Sequence, residues 1–392
     1  MTDRYGWVVV GAAFTLMFVG FAAAYSFAAF FGAFQAEFGA ARADVALVFS
    51  VAAFLWFLSG APGGMLADRY GPRLVTLAGA VCLGLALWLA SRAQSVWMLY
   101  ATYSIGIGLG VGLVYVPSVA AVQPWFSANR GFASGIAVAG IGAGNIAGPL
   151  LAAWWIGLFG WRGAYAALAA FSLVLGVIAA ALLRQHGAVT RPSADAGIRL
   201  RDAVRTRAFG LLYASVVLSC IGLFVPMVHL APYAEDAGHS PAQGVALVSL
   251  IGLGSLLGRF TIGGLADRLG HHRSLAVMYA GLGAMLLLWW LSTSWWVLAL
   301  FAVVFGACYG GSVALLPTLC MDLYGPRALS GIIGCLYTGA GVGTLIGPWF
   351  AGAAYDALGS YDIPILVGAA FSFVAAACVP RHEKVQARHS GQ

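Results

Sequence analysis

Residues 240–272 read SPAQGVALVSLIGLGSLLGRFTIGGLADRLGHH. From Pro241 to Ala266 the stretch is apolar or small apart from Gln243 and Arg259, longer than the about 20 residues that carry a helix across roughly 30 Å of hydrocarbon. It ends in the polar turn LADRLGHH. One formal charge, Arg259, interrupts the apolar run. A cation near a bilayer centre costs about 2.5–3.5 kcal/mol on insertion scales. Such a residue either serves a function there or is bonded to backbone carbonyls of a neighbouring helix, and the placement of every other charge bears on the choice.

The composition sets the solvent. Apolar residues make up 61% of the 392 residues and charged residues only 8%, against about 25% charged in a soluble domain. Apolar runs of spanning length fall at 6–34, 44–67, 73–91, 96–122, 131–158, 162–183, 208–233, 241–266, 274–291, 295–320, 329–354 and 362–379. The expectation is an all-α membrane protein of twelve transmembrane helices. Its many Gly and Ala residues let helix backbones approach closely in lipid. MTDRYGW runs directly into the first apolar stretch, so an uncleaved first span is expected. The formal net charge of +7 forms no basic cluster with interleaved aromatics, which argues against nucleic acid. Cys82, Cys220, Cys308, Cys320, Cys335 and Cys378 lie in apolar runs without CxxC spacing, so neither disulfides nor a zinc site is expected.

Charge fixes the orientation. With both termini in the cytoplasm, the outer segments carry only Arg42, Arg92 and Arg162; apart from Arg259, the rest of the 20 Lys and Arg fall in cytoplasmic segments. That asymmetry is the positive-inside pattern. All 13 Asp and Glu lie at termini, loops or ends of runs, so no carboxylate accompanies Arg259 in the membrane interior. The longest polar segment, 185–207, separates a first six-helix bundle (1–184) from a second (208–380), with a tail at 381–392. Within it, 198–207 reads either as a short basic amphipathic helix or as a solvated linker.

The two halves repeat. GGMLADRYGPR (Gly63–Arg73) returns as GGLADRLGHHR (Gly263–Arg273). Gly106, Gly110 and Pro117 match Gly306, Gly310 and Pro317; Ser134-Gly135 and Gly148-Pro149 match Ser330-Gly331 and Gly347-Pro348. Repeats of this size in a membrane bundle mark a carrier with its site between the halves. Arg259 falls opposite Gly60, so only the second half carries the charge.

The GGxLADRxG turn and its echo resemble the signature of the major facilitator superfamily. YGWVVVGAAF (Tyr5–Phe14) and WFSANRGFASGIAVAGIGAG (Trp125–Gly144) resemble the first- and fifth-helix signatures of the monocarboxylate transporter family. The resemblance implies that Arg259 occupies the position of an eighth-helix arginine that holds the substrate carboxylate, as in the related oxalate–formate exchangers. Three departures stand out. Ser255 stands where animal members have an aspartate, Tyr25 aligns with a proton-handling lysine, and Ile332–Pro348 lacks the second cation of the oxalate exchanger.

These residues lead to a set of expected roles. A guanidinium meets a carboxylate with a planar fork of two charge-assisted hydrogen bonds, and one fixed positive charge matches one carboxylate. Ser255, one turn before Arg259, either bonds a substrate hydroxyl or its own helix backbone. The resemblance implies that Tyr25, Tyr115, Tyr309 and Tyr337 lie on cavity-lining helices; each reads as a substrate ligand or as packing. Asn145 reads as a ligand or as a helix-packing contact. His229 titrates near neutral pH and is the candidate for proton coupling, with a hydrogen-bonded structural role as the alternative. Asp68, Arg69, Arg73, Asp267 and Arg268 in the LADR turns read as a cytoplasmic latch between the halves in the outward-open state.

Together these expectations describe a secondary carrier of small monocarboxylates such as lactate or pyruvate in the cell membrane. It works by alternating access with proton symport, needs no cofactor or metal, and has the bilayer, the substrate and protons as partners but no obligate protein partner. Carboxylate exchange is the alternative mode. A drug-type exporter would want a buried carboxylate, a sensor would want a soluble signalling domain, and an enzyme would want a nucleophile–base pair or metal cluster in the spans; none is legible.

Overall fold

The computed structural model describes residues 4–126, 130–184, 198–325 and 328–380, with the side chains of 130, 131, 263–265 and 267 outside that description. The expected tail at 381–392 and most of the linker, 185–197, lie outside the described residues. The described chain is helical and contains no strand. Among the described residues, ten helices are long and apolar enough to span a membrane. One of them bends at Gly160, whose φ of 67° and ψ of 174° no helix allows, and so counts as two. A further apolar helix, Asp362–Cys378, completes twelve.

In chain order these are α1 Arg4–Phe38 (broken at Ser26), α2 Arg42–Tyr70, α3 Pro72–Ala90, α4 Val96–Trp125, α5 130–159, α6 161–182, α7 Arg207–Asp236, α8 Pro241–Leu269, α9 His271–Leu291, α10 Trp295–Tyr324, α11 Leu329–Leu358 and α12 Asp362–Cys378. The chain is a multi-pass membrane protein. Its outward surface carries side chains that water would not tolerate together, among them Trp97, Trp154, Trp296 and Leu291, each at least 60% exposed.

Local signals explain the ends of α8. Ser240 Oγ accepts from Gln243 N while Gln243 Oε1 accepts from Ser240 N, and Pro241 opens the helix. This reciprocal cap satisfies two of the amides that a helix start leaves free. At the other end the LADR residues remain helical, three residues past the expected end of the span. The turn is Gly270 alone, at φ 86° and ψ 140°. Gly71 adopts the same backbone in the first half, φ 87° and ψ 148°. That region is open only to glycine, so the repeated LADRxG motif encodes one helix stop twice. Of the two readings of 198–207, amphipathic helix or linker, the structure shows a single helical turn, Leu200–Ala203, before Thr206 accepts from Phe209 N and starts α7.

Packing repeats as the sequence does. A Cβ on Gly148 would lie 2.4 Å from Ala22 O of α1, and one on the matching Gly347 would lie 2.2 Å from Ile221 O of α7. Only glycine allows these approaches. The α4 and α10 pair differs from its sequence alignment. Gly306 and Gly310 face α8, whereas Gly106 and Gly110 face α3, and it is Gly108 and Gly112 that touch α2. Between the halves, α2 packs on α11 and α5 on α8. The α2–α11 approach is closest near Arg42, where a Cβ on Gly352 would lie 2.6 Å from Ala43 N. It loosens toward the Arg69 end, where one on Gly334 would lie 3.7 Å from Ala61 Cβ.

Candidate functional site

Between the halves lies a cavity of about 100 Å³. Arg259 of α8 lines it, and so does Gly60 of α2, its counterpart in the repeat. The lining residues include no carboxylate. Arg259 is tethered by one long hydrogen bond, Nη1 to Val138 O of α5 at 3.4 Å, and its Nε is buried without a partner. A guanidinium has five N–H donors in a fixed fork. Most of that capacity meets no protein acceptor among the described residues, so the position is poorly explained as a helix staple alone. What the arrangement offers is a fixed positive fork in an aromatic, carboxylate-free chamber, which is the chemistry of binding one carboxylate.

Four expected tyrosines join Arg259 in the lining: Tyr25 of α1, Tyr115 of α4, Tyr309 of α10 and Tyr337 of α11. The Tyr25 and Tyr309 hydroxyls lie 3.0 Å apart, joining the first half to the second. Ser219 and Ser312 also line the cavity, but their hydroxyls donate to helix carbonyls, Val216 O at 3.1 Å and Tyr309 O at 2.8 Å.

Two expected residues do not join the cavity. Ser255 is buried against α10, where a Cβ on Gly310 would lie 2.0 Å from its carbonyl oxygen, and it is absent from the lining. A helix turn of four residues does not bring two side chains to the same neighbour when one of them lies in a helix–helix seam. Asn145 is 1% exposed in the α5–α8 seam beside Gly252.

His229 does not line the cavity either and is fully buried in α7. Its Nε2 lies 2.8 Å from Pro348 O and its Nδ1 3.0 Å from the Tyr361 hydroxyl. A carbonyl only accepts, so Nε2 carries the ring proton and Nδ1 accepts from Tyr361.

Tyr361 leads to a cluster that the sequence did not reveal. Arg42, at the start of α2, donates Nη1 to the Tyr361 hydroxyl at 2.7 Å and Nη2 to Asp236 Oδ1 at 2.8 Å. Its Nη1 also lies 2.7 Å from Asp236 Oδ2. The guanidinium stacks 3.7 Å over the Tyr355 ring. Asp356 accepts from the amides of Arg42 at 3.0 Å and Ala43 at 2.8 Å, so α11 supplies the N-terminal cap of α2. The first half is therefore clasped to the second through α7, α11 and the residue before α12. In the sequence the sign was an outer arginine, one of three, with acidic residues at the ends of other spans. At the opposite end, Asp68, Arg69, Arg73 and Arg268 are exposed, and the Asp267 side chain lies outside the described residues.

Comparison with known proteins follows the same lines. The model of the Major Facilitator Superfamily matches residues 13–288 and 211–391. Monocarboxylate transporter 3 of Rattus norvegicus is 31% identical over 97% of this chain and 81% of its own. Monocarboxylate transporter 13 of Bos taurus is 28% identical over 94% of this chain and 87% of its own. Among solved structures, a bacterial homolog of the human lysosomal transporter Spinster, inward-facing and occupied, superposes with a TM-score of 0.76 at 16% identity, over 96% of each chain. That last likeness is one of fold alone.

Proposed function

The chain belongs to the monocarboxylate transporter family of the Major Facilitator Superfamily, and from that premise we propose that it carries small monocarboxylates of the lactate and pyruvate kind by alternating access, with Arg259 as the carboxylate anchor. The observation that carries this reading is the under-bonded Arg259 guanidinium in a cavity without a carboxylate. A half-buried cation with no counter-charge in the lining carries an uncompensated desolvation cost, and a bound monoanion offsets it. Tyr25, Tyr115, Tyr309 and Tyr337 complete the site as polar edges of an otherwise apolar wall. Ser255 and Asn145 fit the helix seams better than the substrate.

The transport cycle needs a gate at each end. The Arg42 clasp serves as the outer gate, and the LADR turns (Asp68, Arg69, Arg73, Asp267, Arg268) serve as the cytoplasmic latch that forms when the clasp opens. Both termini lie in the cytoplasm in this orientation, and the halves 1–184 and 208–380 rock against each other in the cell membrane.

Proton symport remains the favoured mode, and His229 acts through the clasp. A second proton on the ring makes Nδ1 a donor, so Tyr361 loses its acceptor. It also sets a positive charge near Arg42, among Glu235, Asp236, Tyr355 and Asp356. Repulsion then weakens the clasp, and outer acid favours outward opening. The deciding experiment is uptake of labelled lactate and pyruvate into proteoliposomes with and without an inward proton gradient. Uptake without any dependence on the gradient, but dependent on internal substrate, supports carboxylate exchange instead. No uptake or binding of any monocarboxylate removes the reading.

A further inference from the structure

The cavity beside Arg259 is walled by rings to a degree that a three-carbon acid does not require. Phe21 of α1, Trp56 and Phe57 of α2, Phe224 of α7 and Tyr337 of α11 all line it. The rings touch one another in sequence. Phe21 lies 6.0 Å from Trp56, Trp56 lies 6.4 Å from Phe224, Phe224 lies 6.2 Å from Phe57, and Phe57 lies 5.7 Å from Tyr337, centroid to centroid. The chain of contacts crosses from the first half to the second between α2 and α7 and again between α2 and α11. It forms a sleeve whose members come from both rocking bodies.

We infer that the monocarboxylate this sleeve selects bears an aryl ring. The inference rests on the reading of Arg259 as the carboxylate anchor and concerns the rest of the substrate. Edge-to-face and offset ring pairs at these centroid separations attract beyond the burial of their area. A ligand ring placed among them continues the pattern, whereas a methyl group reaches few of the walls. The two serines of the lining donate to helix carbonyls, so they can accept from a substrate hydroxyl but have no proton to give one. An aryl body also bridges the two halves, because Phe21, Trp56 and Phe57 belong to one and Phe224 and Tyr337 to the other. Trp56, Phe57 and Phe224 are thereby assigned as specificity-determining residues.

Phenylpyruvate and pyruvate differ only by the ring and isolate the claim. With the full-length wild-type chain in proteoliposomes, phenylpyruvate is expected to show a KM at least tenfold below that of pyruvate, and to inhibit lactate uptake at correspondingly lower concentration. Phe224→Ala and Trp56→Leu should narrow that ratio, a readout that cancels any loss of folded protein. Pyruvate and lactate carried as well as phenylpyruvate or better, with kcat/KM reduced in Arg259→Ala, overturns the inference and leaves the anchor standing. A carrier indifferent to all three acids, and to Arg259, overturns both.

Discussion

The hydroxyls of Tyr25 and Tyr309 lie 3.0 Å apart on opposite sides of the interface between the halves, in the wall of the Arg259 cavity. Both side chains are buried apart from the cavity they line.

The first prediction concerns that pair. Tyr25→Phe and Tyr309→Phe should each lower stability in detergent by about 0.5–1.5 kcal/mol, the net worth of one hydrogen bond. The double variant should lose little more than either single one, because the two substitutions remove the same contact. Additive losses in thermal unfolding would show that the hydroxyls act separately.

Arg259→Ala should reduce kcat/KM for monocarboxylate uptake by roughly 10- to 150-fold, matching the about 1.5–3 kcal/mol of a hydrogen bond to a charged group. Arg259→Lys keeps the charge and loses the planar fork, so it should rescue only part of the activity. Full transport by the lysine variant would refute a bidentate contact.

The Arg42 clasp makes a prediction about access. Cys220 lines the cavity and can report on it once Cys82, Cys308, Cys320, Cys335 and Cys378 are replaced. Arg42→Ala or Asp356→Asn should speed labelling of Cys220 by an impermeant maleimide added from the Arg42 side, on the order of tenfold, equivalent to about 1.4 kcal/mol of population shift. Unchanged labelling from that side means that the clasp does not gate.

His229→Gln should retain transport while flattening its dependence on an imposed proton gradient, measured in proteoliposomes. The amide keeps one donor for Pro348 O but cannot take up the second proton. If the variant responds to the gradient as the wild type does, the proton is handled elsewhere.

Packing gives a paired test. Gly310→Ala pushes a Cβ to 2.0 Å from Ser255 O, and overpacking of this kind costs about 1–3 kcal/mol. Gly157→Ala meets nothing within 4 Å and should leave the unfolding temperature unchanged or slightly raised, since alanine is the better helix former.

The fold was legible because lipid leaves the backbone so few options. Spanning helices must satisfy their own amides, so twelve apolar runs give twelve helices, with α5 and α6 separated only by the glycine bend at residue 160. The LADRxG repeat was equally readable, since Gly71 and Gly270 adopt a backbone closed to other residues. Arg259 was found because a single charge in an apolar run is conspicuous. Its neighbours were less legible. Ser255 shares a helix with Arg259 at the right spacing, yet it faces α10, because helix periodicity fixes which residues share a stripe and not which neighbour covers each part of it.

By itself, then, the sequence determined the solvent, the number of spans, the repeat and the lone cation, all of which follow from local composition and backbone sterics. Only the tertiary structure decided what surrounds that cation, that Tyr25 meets Tyr309 across 284 residues, and that Arg42 is held by Asp236, Asp356 and Tyr361. Those contacts join distant segments, and their partners are set by how glycine-lined helix faces dock, a relation that no local pattern records.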